Sequence, residues 1–260
     1  MPHVSPDQQQ EIDAQRAESF ETRRATVPAL EAILYQAIPI LDHGFVRVVD
    51  YMGDDNAVVQ AARVSYGKGT KRVSEDRGLI NYLMRDRHGT PFEHTSLTYF
   101  VSAPIFVFRE FMRHRIASYN EESGRYRELR PVFYVPGPDR RLVQQGKPGA
   151  YEFVEGTPEQ YQAVVQQTEA SCRVSYAAYQ AMLAQGVARE VARGVLPVAT
   201  YSSMYVTMNA RALMNFLSLR TKHPGSHFPS FPQREIEMVA DLMESEWAAL
   251  MPLTYEAFVA

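Results

Sequence analysis

The chain has a single cysteine, Cys172, among its 260 residues. One cysteine excludes a disulfide within the chain and is typical of a protein from a reducing compartment. The beginning of the sequence has no apolar stretch behind a basic start, so we expect no signal peptide. No run of apolar residues approaches the ~20 that are needed to span a bilayer. We therefore expect a cytoplasmic protein that has no membrane partner.

Lysine is also scarce, with 4 lysines against 23 arginines in the chain. Two explanations stay open: guanidinium groups that recognise anions through planar donors, or the codon usage of a GC-rich genome. The net charge of −3 and the sequence pI of about 6.2 argue against a general nucleic-acid binder. We therefore expect no nucleic-acid partner.

Dinucleotide and P-loop motifs are absent, so a bound dinucleotide would not be held by a Rossmann turn. Two histidines six residues apart, His88 and His94, do not have a standard zinc spacing, and we expect no metal. The periodicity of apolar residues predicts strands at 45–52, 95–102, 125–135 and 198–208, a loop at 136–158, and helices at 56–64, 74–87, 157–185, 209–220 and 235–251. Helices and strands mix without a βαβ rhythm, which favours an α+β fold with a mixed or antiparallel sheet flanked by helices.

The segment 109–130 concentrates charge, with six arginines, four glutamates and one histidine in 22 positions. Apolar residues at three- and four-residue steps predict a helix over 103–118, with Arg113, His114 and Arg115 in its last turn. Asparagine, serine and glycine then predict a loop over 119–126. Two interpretations follow, a solvated surface turn laced by salt bridges or a site for phosphate or a nucleotide.

The sequence RHRIASYNEESGRY at Arg113–Tyr126 matches all nine fixed positions of the signature RHRxxSxNExSxRY. This signature resembles that of the flavin-dependent thymidylate synthases (the ThyX family). Other segments that look like the family are HGTPFEH at 88–94, REVARGVLP at 189–197 and VTMNARALMNFLSLR at 206–220. The resemblance implies a ThyX-like domain over 41–260 behind an accessory extension over 1–40. It also implies a homotetramer of ~118 kDa, because closed symmetry is the rule for such assemblies and the family's sites are shared between subunits.

The resemblance further implies the reductive methylation of dUMP to dTMP. The carbon would come from 5,10-methylenetetrahydrofolate, and the hydride would come from reduced FAD, which NADPH recharges. No cysteine nucleophile would take part, and the pyrimidine would be activated by ionisation at N3. A different class of function also stays open, a non-catalytic nucleotide or RNA binder, which predicts a colourless protein.

Matching the family position by position assigns the site residues. Arg220 would be catalytic, at N3 and O2 of the base. The residues expected to contact FAD are Thr90, Arg113, His114, Arg115, Glu121, Asn209, Arg211 and Asn215. Those expected to bind dUMP are Glu110, Phe111, Met112, Arg113, Glu121, Glu122, Ser123, Gly124, Arg125, Arg193 and Arg220. Glu110 stands where the family commonly has glutamine, and it adds a negative charge near a dianionic ligand.

Overall fold

The computed structural model of the chain describes residues 10, 14, 17, 23–66, 73–147, 150–223, 226 and 229–260. Its helices are α1 (Pro28–Glu31), α2 (Asp55–Arg63), α3 (Val73–Arg85), α4 (Ile105–Phe111), α5 (Pro158–Ala184), α6 (Arg189–Ala192), α7 (Ala210–Arg220), α8 (Arg234–Leu250) and α9 (Pro252–Val259). Its strands are β1 (Ile38–Ile40), β2 (Gly44–Met52), β3 (Ser96–Pro104), β4 (Ser118–Glu121), β5 (Val143–Lys147), β6 (Ala150–Val154) and β7 (Tyr201–Met208). Nearly half of the predicted extension over 1–40 lies outside the described residues, and the division into extension and domain stays a prediction.

Five strands form an antiparallel sheet in the order β1-β2-β3-β7-β4. At its centre Tyr99 of β3 pairs with Val206 of β7. At its edge Glu121 of β4 pairs with Met204 of β7. The antiparallel sheet and its helices confirm the predicted α+β class. The edge pairing also places the signature segment beside the strand that leads into α7.

The helices α7 and α8 share one hydrophobic core with the sheet. Tyr99, Val206, Phe216 and Trp247 are almost completely buried there. The hydroxyl of Tyr99 donates to the carbonyl of Met243 at 2.9 Å, which ties β3 to α8. Burying large apolar and aromatic side chains is the main source of the stability of a folded core. This core therefore fixes the position of α7, whose last residue is Arg220.

Asn209, the first residue of the predicted helix 209–220, is the N-cap of α7. Its side-chain oxygen accepts a hydrogen bond from the backbone nitrogen of Ala212 at 2.8 Å. Such a cap satisfies one of the free N–H groups at a helix start. The predicted strands at 45–52, 95–102 and 198–208 are likewise confirmed, with small shifts of their ends.

The predicted helix over 103–118 is wrong beyond Phe111, where α4 ends. The hydroxyl of Tyr119 donates to the carbonyls of both Phe111 and His114 at 2.8 Å. These two carbonyls therefore have a hydrogen-bond donor outside α4, and the chain can leave the helical path after Phe111. Ser118–Glu121 then forms β4, although the sequence predicted a helix end and a loop there. Arg113, His114 and Arg115 consequently lie in the turn between α4 and β4, not in a last helical turn.

Two further predictions are wrong. The described residues of 125–135 form no strand, and their one recorded bridge joins Phe133 to Thr200. Leu129 in this segment bonds instead to the hydroxyls of Tyr176 and Tyr179 on α5, at 3.2 and 3.4 Å. The predicted loop over 136–158 contains the antiparallel pair β5–β6.

Within the described part of the chain, no helix has both the length and the apolarity to cross a membrane.

Candidate functional site

The guanidinium of Arg220 has a partner at each of its three nitrogens. Its Nε donates to Nε2 of His114 at 3.1 Å. Its Nη1 lies 2.7 Å from Oε2 of Glu110, and its Nη2 donates to the Glu110 carbonyl at 3.4 Å. The Arg220 side chain is only 16% exposed. A charge this buried needs partners, and α4 with the turn that follows it supplies them.

His114 is buried between Arg220 and the ring of Phe216, whose centroid lies 4.9 Å away in an edge-on arrangement. Burial, helped by the positive charge of Arg220, lowers the pKa of His114 to about 4. The imidazole is therefore neutral at physiological pH, and its Nε2 can accept the hydrogen bond from Arg220. The sequence predicted a flavin contact for His114, and in this structure its ring faces the arginine.

Aromatic residues hold the turn that carries His114. Phe111 at the end of α4 stacks on Phe216 of α7, with ring centroids 4.9 Å apart and an angle of 17° between the planes. Burial raises the pKa of Tyr119 to about 12, so its hydroxyl stays protonated and remains a donor to the two carbonyls described above. The aromatic stack and the tyrosine hydroxyl together fix α4 against α7.

A second group forms where the signature segment leaves β4. Burial raises the pKa of the Glu121 carboxyl, and the nearby charge of Arg193 opposes this shift. A side-chain Cβ added at Gly124 would lie 3.2 Å from Cδ of Arg193 and 3.1 Å from Cδ1 of Leu129. The loop backbone therefore passes directly against Arg193, as close approach by glycine allows. This places Arg193 beside the loop that the sequence assigned to the nucleotide.

The remaining residues of that loop have exposed partners. The Ser123 hydroxyl accepts from the backbone nitrogen of Arg125 at 3.3 Å. The guanidinium of Arg125 pairs with Glu190 on α6 at 2.9 Å, and both side chains are about half exposed. Glu122 pairs with Arg127 at 2.9 Å. The exposed Arg125–Glu190 pair is weak, so a bound anion can exchange for Glu190 at little cost.

A third group lines a cleft of about 730 Å³. Thr90 and Arg211 belong to this cleft, and both were predicted to contact FAD. Arg211 pairs through Nη1 with Oε1 of Glu93 at 2.6 Å. A Cβ added at Gly89 would lie 2.7 Å from Cζ of Arg211, so the guanidinium rests on glycine backbone. Tyr82 and His88 line the same cleft. Their rings make an edge-to-face contact, with centroids 5.4 Å apart.

Other predicted residues join none of these groups. Met112, Arg113, Arg115 and Asn215 are exposed. Among the described residues, Arg113 and Arg115 have no recorded hydrogen bond or ion pair, and no such contact links the three groups. Arg211 and Arg220 lie near opposite ends of α7, about 14 Å apart along its axis. The chain by itself therefore does not gather all the predicted flavin residues.

Among the contributors that were not predicted as site residues are Tyr119, Phe216 and Gly89. All three lie within the matching segments, and that position was the only available signal. None of the three carries a charge that would single it out. Their roles depend on contacts between distant parts of the chain.

The chain is similar to known proteins over most of its length. The family described as thymidylate synthase complementing protein matches residues 47–253. A relative from Streptomyces coelicolor, named flavin-dependent thymidylate synthase, is 64% identical over 223 residues, which are 83% of this chain and 90% of the relative. A relative of the same name from Tropheryma whipplei strain Twist is 53% identical over 235 residues, 88% of this chain and 96% of the relative. The chain belongs to the flavin-dependent thymidylate synthase family. The resemblance found in the signature segment is thereby confirmed.

Solved structures agree with this membership. The UMP/dUMP methylase PolB from Streptomyces cacaoi, crystallised with 5-Br dUMP, has a TM-score of 0.79 and 53% sequence identity to this chain. The match covers 85% of this chain and 97% of PolB. The same enzyme with 5-Br UMP gives a TM-score of 0.78 and 54% identity over 84% of this chain and 94% of that chain. The α+β family fold is therefore shown over most of the molecule.

Replacing Gly89 by alanine tests the position of Arg211. The backbone of Gly89, with φ −74° and ψ −29°, tolerates alanine. The new Cβ would meet the flexible end of Arg211, so the guanidinium must move while the fold is retained. The sequence predicted that Arg211 contacts FAD. On that prediction, the affinity for FAD in a flavin fluorescence titration should fall about tenfold, the loss expected for one charge-assisted hydrogen bond.

Gly78→Ala is the matched control, because a Cβ at this position in α3 meets nothing within 4 Å. That variant should bind FAD like the parent. If Gly89→Ala also keeps the parent affinity, Arg211 does not hold the flavin from this position.

Proposed function

We propose that this chain is an enzyme that converts dUMP to dTMP with the help of a flavin. The observation that carries the proposal is the Arg220 guanidinium, held by the signature turn beside a neutral His114. The names of the family relatives and the dUMP analogue bound by PolB support the same reaction.

Activation of the pyrimidine defines the role of Arg220. Carbon 5 of uracil is a poor nucleophile until the ring becomes electron-rich. A guanidinium does not give up its proton in proteins, so Arg220 cannot act as a base. It can stabilise negative charge that spreads over N3 and O2, because its planar fork offers parallel donors. Arg220 is therefore the catalytic residue of this proposal.

The loop after β4 would hold the nucleotide. Arg125 and Arg193 supply guanidinium groups that match phosphate oxygens, and the close backbone at Gly124 keeps the Arg193 side chain beside this loop. Arg125 would exchange its exposed partner Glu190 for phosphate. The further residues proposed to line the dUMP site are Glu110, Phe111, Met112, Arg113, Glu121, Glu122 and Ser123.

The cleft beside Arg211 fits a flavin in size and chemistry. Its volume of about 730 Å³ lies within the range of cofactor pockets. Thr90 and Arg211 would donate to the cofactor, and the remaining proposed FAD contacts are Arg113, His114, Arg115, Glu121, Asn209 and Asn215. A bound reduced flavin would supply the hydride, with NADPH as its reductant and 5,10-methylenetetrahydrofolate as the carbon donor.

A dTMP assay tests the proposal. Purified protein is incubated with FAD, NADPH, methylenetetrahydrofolate and dUMP, and the product is measured by chromatography. We expect dTMP and a yellow protein with flavin absorption. A colourless protein that binds nucleotides and forms no dTMP would instead fit the non-catalytic binder.

A second candidate reaction is the methylation of UMP. The likeness to PolB favours it, since that enzyme is described as a UMP/dUMP methylase and was crystallised with 5-Br UMP. The same assay with UMP as substrate separates the two reactions. Faster turnover of UMP than of dUMP would make the ribonucleotide the substrate.

We also propose that the protein is a homotetramer with shared sites. The separation of the three residue groups within one chain, and the unpaired Arg113 and Arg115 among the described residues, support sites that a second copy completes. Light scattering should give a mass of ~118 kDa. A stable monomer that forms dTMP would contradict the proposal.

Cys172 should be dispensable. It is buried on α5, and burial raises the pKa of its thiol, so little thiolate forms. Cys172→Ala and Cys172→Ser should therefore keep dTMP formation within a few fold of the parent. Loss of turnover in a variant that still binds FAD and dUMP would assign the thiol a chemical role.

Arg220→Ala should cut dTMP formation about 10²–10³-fold, the usual cost of one preorganised donor. Arg220→Lys should restore little, because an ammonium lacks the fork. Single-turnover kinetics with pre-reduced enzyme measures both, and FAD binding should persist. Arg77→Ala is the control, since that exposed arginine pairs with Glu256 on α9 and belongs to none of the three groups. Parent rates in both Arg220 variants would show that Arg220 does not activate the base.

A further inference from the structure

Glu110 occupies the edge of the Arg220 guanidinium that His114 leaves open. With Nε bonded to His114, the remaining pair of parallel donors consists of Nη1 and Nη2. The carboxylate of Glu110 takes the first at 2.7 Å, and its backbone carbonyl takes the second at 3.4 Å. The Glu110 side chain is 33% exposed, so part of it already faces solvent.

The proposed reaction needs the same two donors. Negative charge on N3 and O2 of the pyrimidine would be stabilised by Nη1 and Nη2, and a planar guanidinium cannot offer one edge fully to two acceptors. A base that reaches Arg220 must therefore take the place of the Glu110 carboxylate. The two anions also repel each other across the fork.

No other charged group described near Arg220 acts as its counter-ion. His114 is neutral, with its pKa lowered to about 4 by burial and by Arg220. Lys222 and His223 follow α7 but pair with Glu237 and Glu244 on α8. Among the described groups in contact with Arg220, Glu110 thus carries the only negative charge.

We propose that Glu110 is a specificity-determining counter-ion that the pyrimidine displaces from Arg220. This inference rests on the proposed function. Before the nucleotide arrives, Glu110 holds the guanidinium in place and keeps weakly bound anions away from it. A ligand binds the Arg220 guanidinium only when it presents a planar edge that competes with a carboxylate. A uracil ring with negative charge on N3 and O2 presents such an edge.

Binding of 5-bromo-dUMP to the flavin-loaded protein tests this role. The bromine withdraws electrons and makes N3 more acidic than in dUMP. Calorimetric titrations below and above the N3 pKa of the free probe give its affinity in the neutral and ionised forms. In Glu110→Gln a neutral amide competes less well than a carboxylate, and a repelling charge is gone. We expect about tenfold tighter binding of the ionised probe and a smaller change for the neutral probe.

Glu110→Ala should shift the affinity in the same direction, and it serves as the second variant. Glu256→Gln removes one charge from the exposed pair with Arg77, far from the site in sequence, and should bind like the parent. Unchanged or weaker binding of the ionised probe in both Glu110 variants would overturn the inference while leaving the proposed function intact. A parent protein that binds no pyrimidine nucleotide would overturn the proposed function, and this inference with it.

Discussion

The partly buried charge of Arg220 is the constraint on which the arrangement of the site depends. A guanidinium keeps its proton, so burial has to be matched by acceptors. Glu110 and His114 provide them from α4 and the turn after it. The end of α7 must therefore meet the end of α4, and the Phe111–Phe216 stack holds them together. The same charge helps to keep His114 neutral, which is the state in which it can accept from Arg220.

Two glycines let two other arginines lie against the backbone. A Cβ at Gly124 would lie 3.2 Å from Arg193, which is a tight contact, and a Cβ at Gly89 would lie 2.7 Å from Arg211, which would displace the guanidinium. The sheet fixes where these contacts fall, because β4 pairs with β7 and β7 leads into α7. Each arginine thus has a set position, although the three groups stay apart within one chain. This separation is the structural basis for proposing that a second copy completes the site.

Periodic features of the fold were predictable from the sequence, and contacts between distant side chains were not. The long helix α5 and the Asn209 cap follow from apolar spacing and local chemistry. The helix over 103–118 failed because the hydroxyl of Tyr119 ends α4, and a contact of that kind has no periodic signal. The strand over 125–135 failed because tyrosines of α5 take the backbone of Leu129. In the site, the family resemblance named Arg220 and His114, but only the structure brings them to 3.1 Å.

A crystal structure of the flavin-loaded protein with 5-bromo-dUMP tests the central claim most directly. The account predicts that Nη1 and Nη2 of Arg220 contact the N3 and O2 edge of the base, that Nε stays on His114, and that the Glu110 carboxylate has moved off the guanidinium. An intact ion pair between Glu110 and Arg220, with the pyrimidine bound elsewhere, would contradict it.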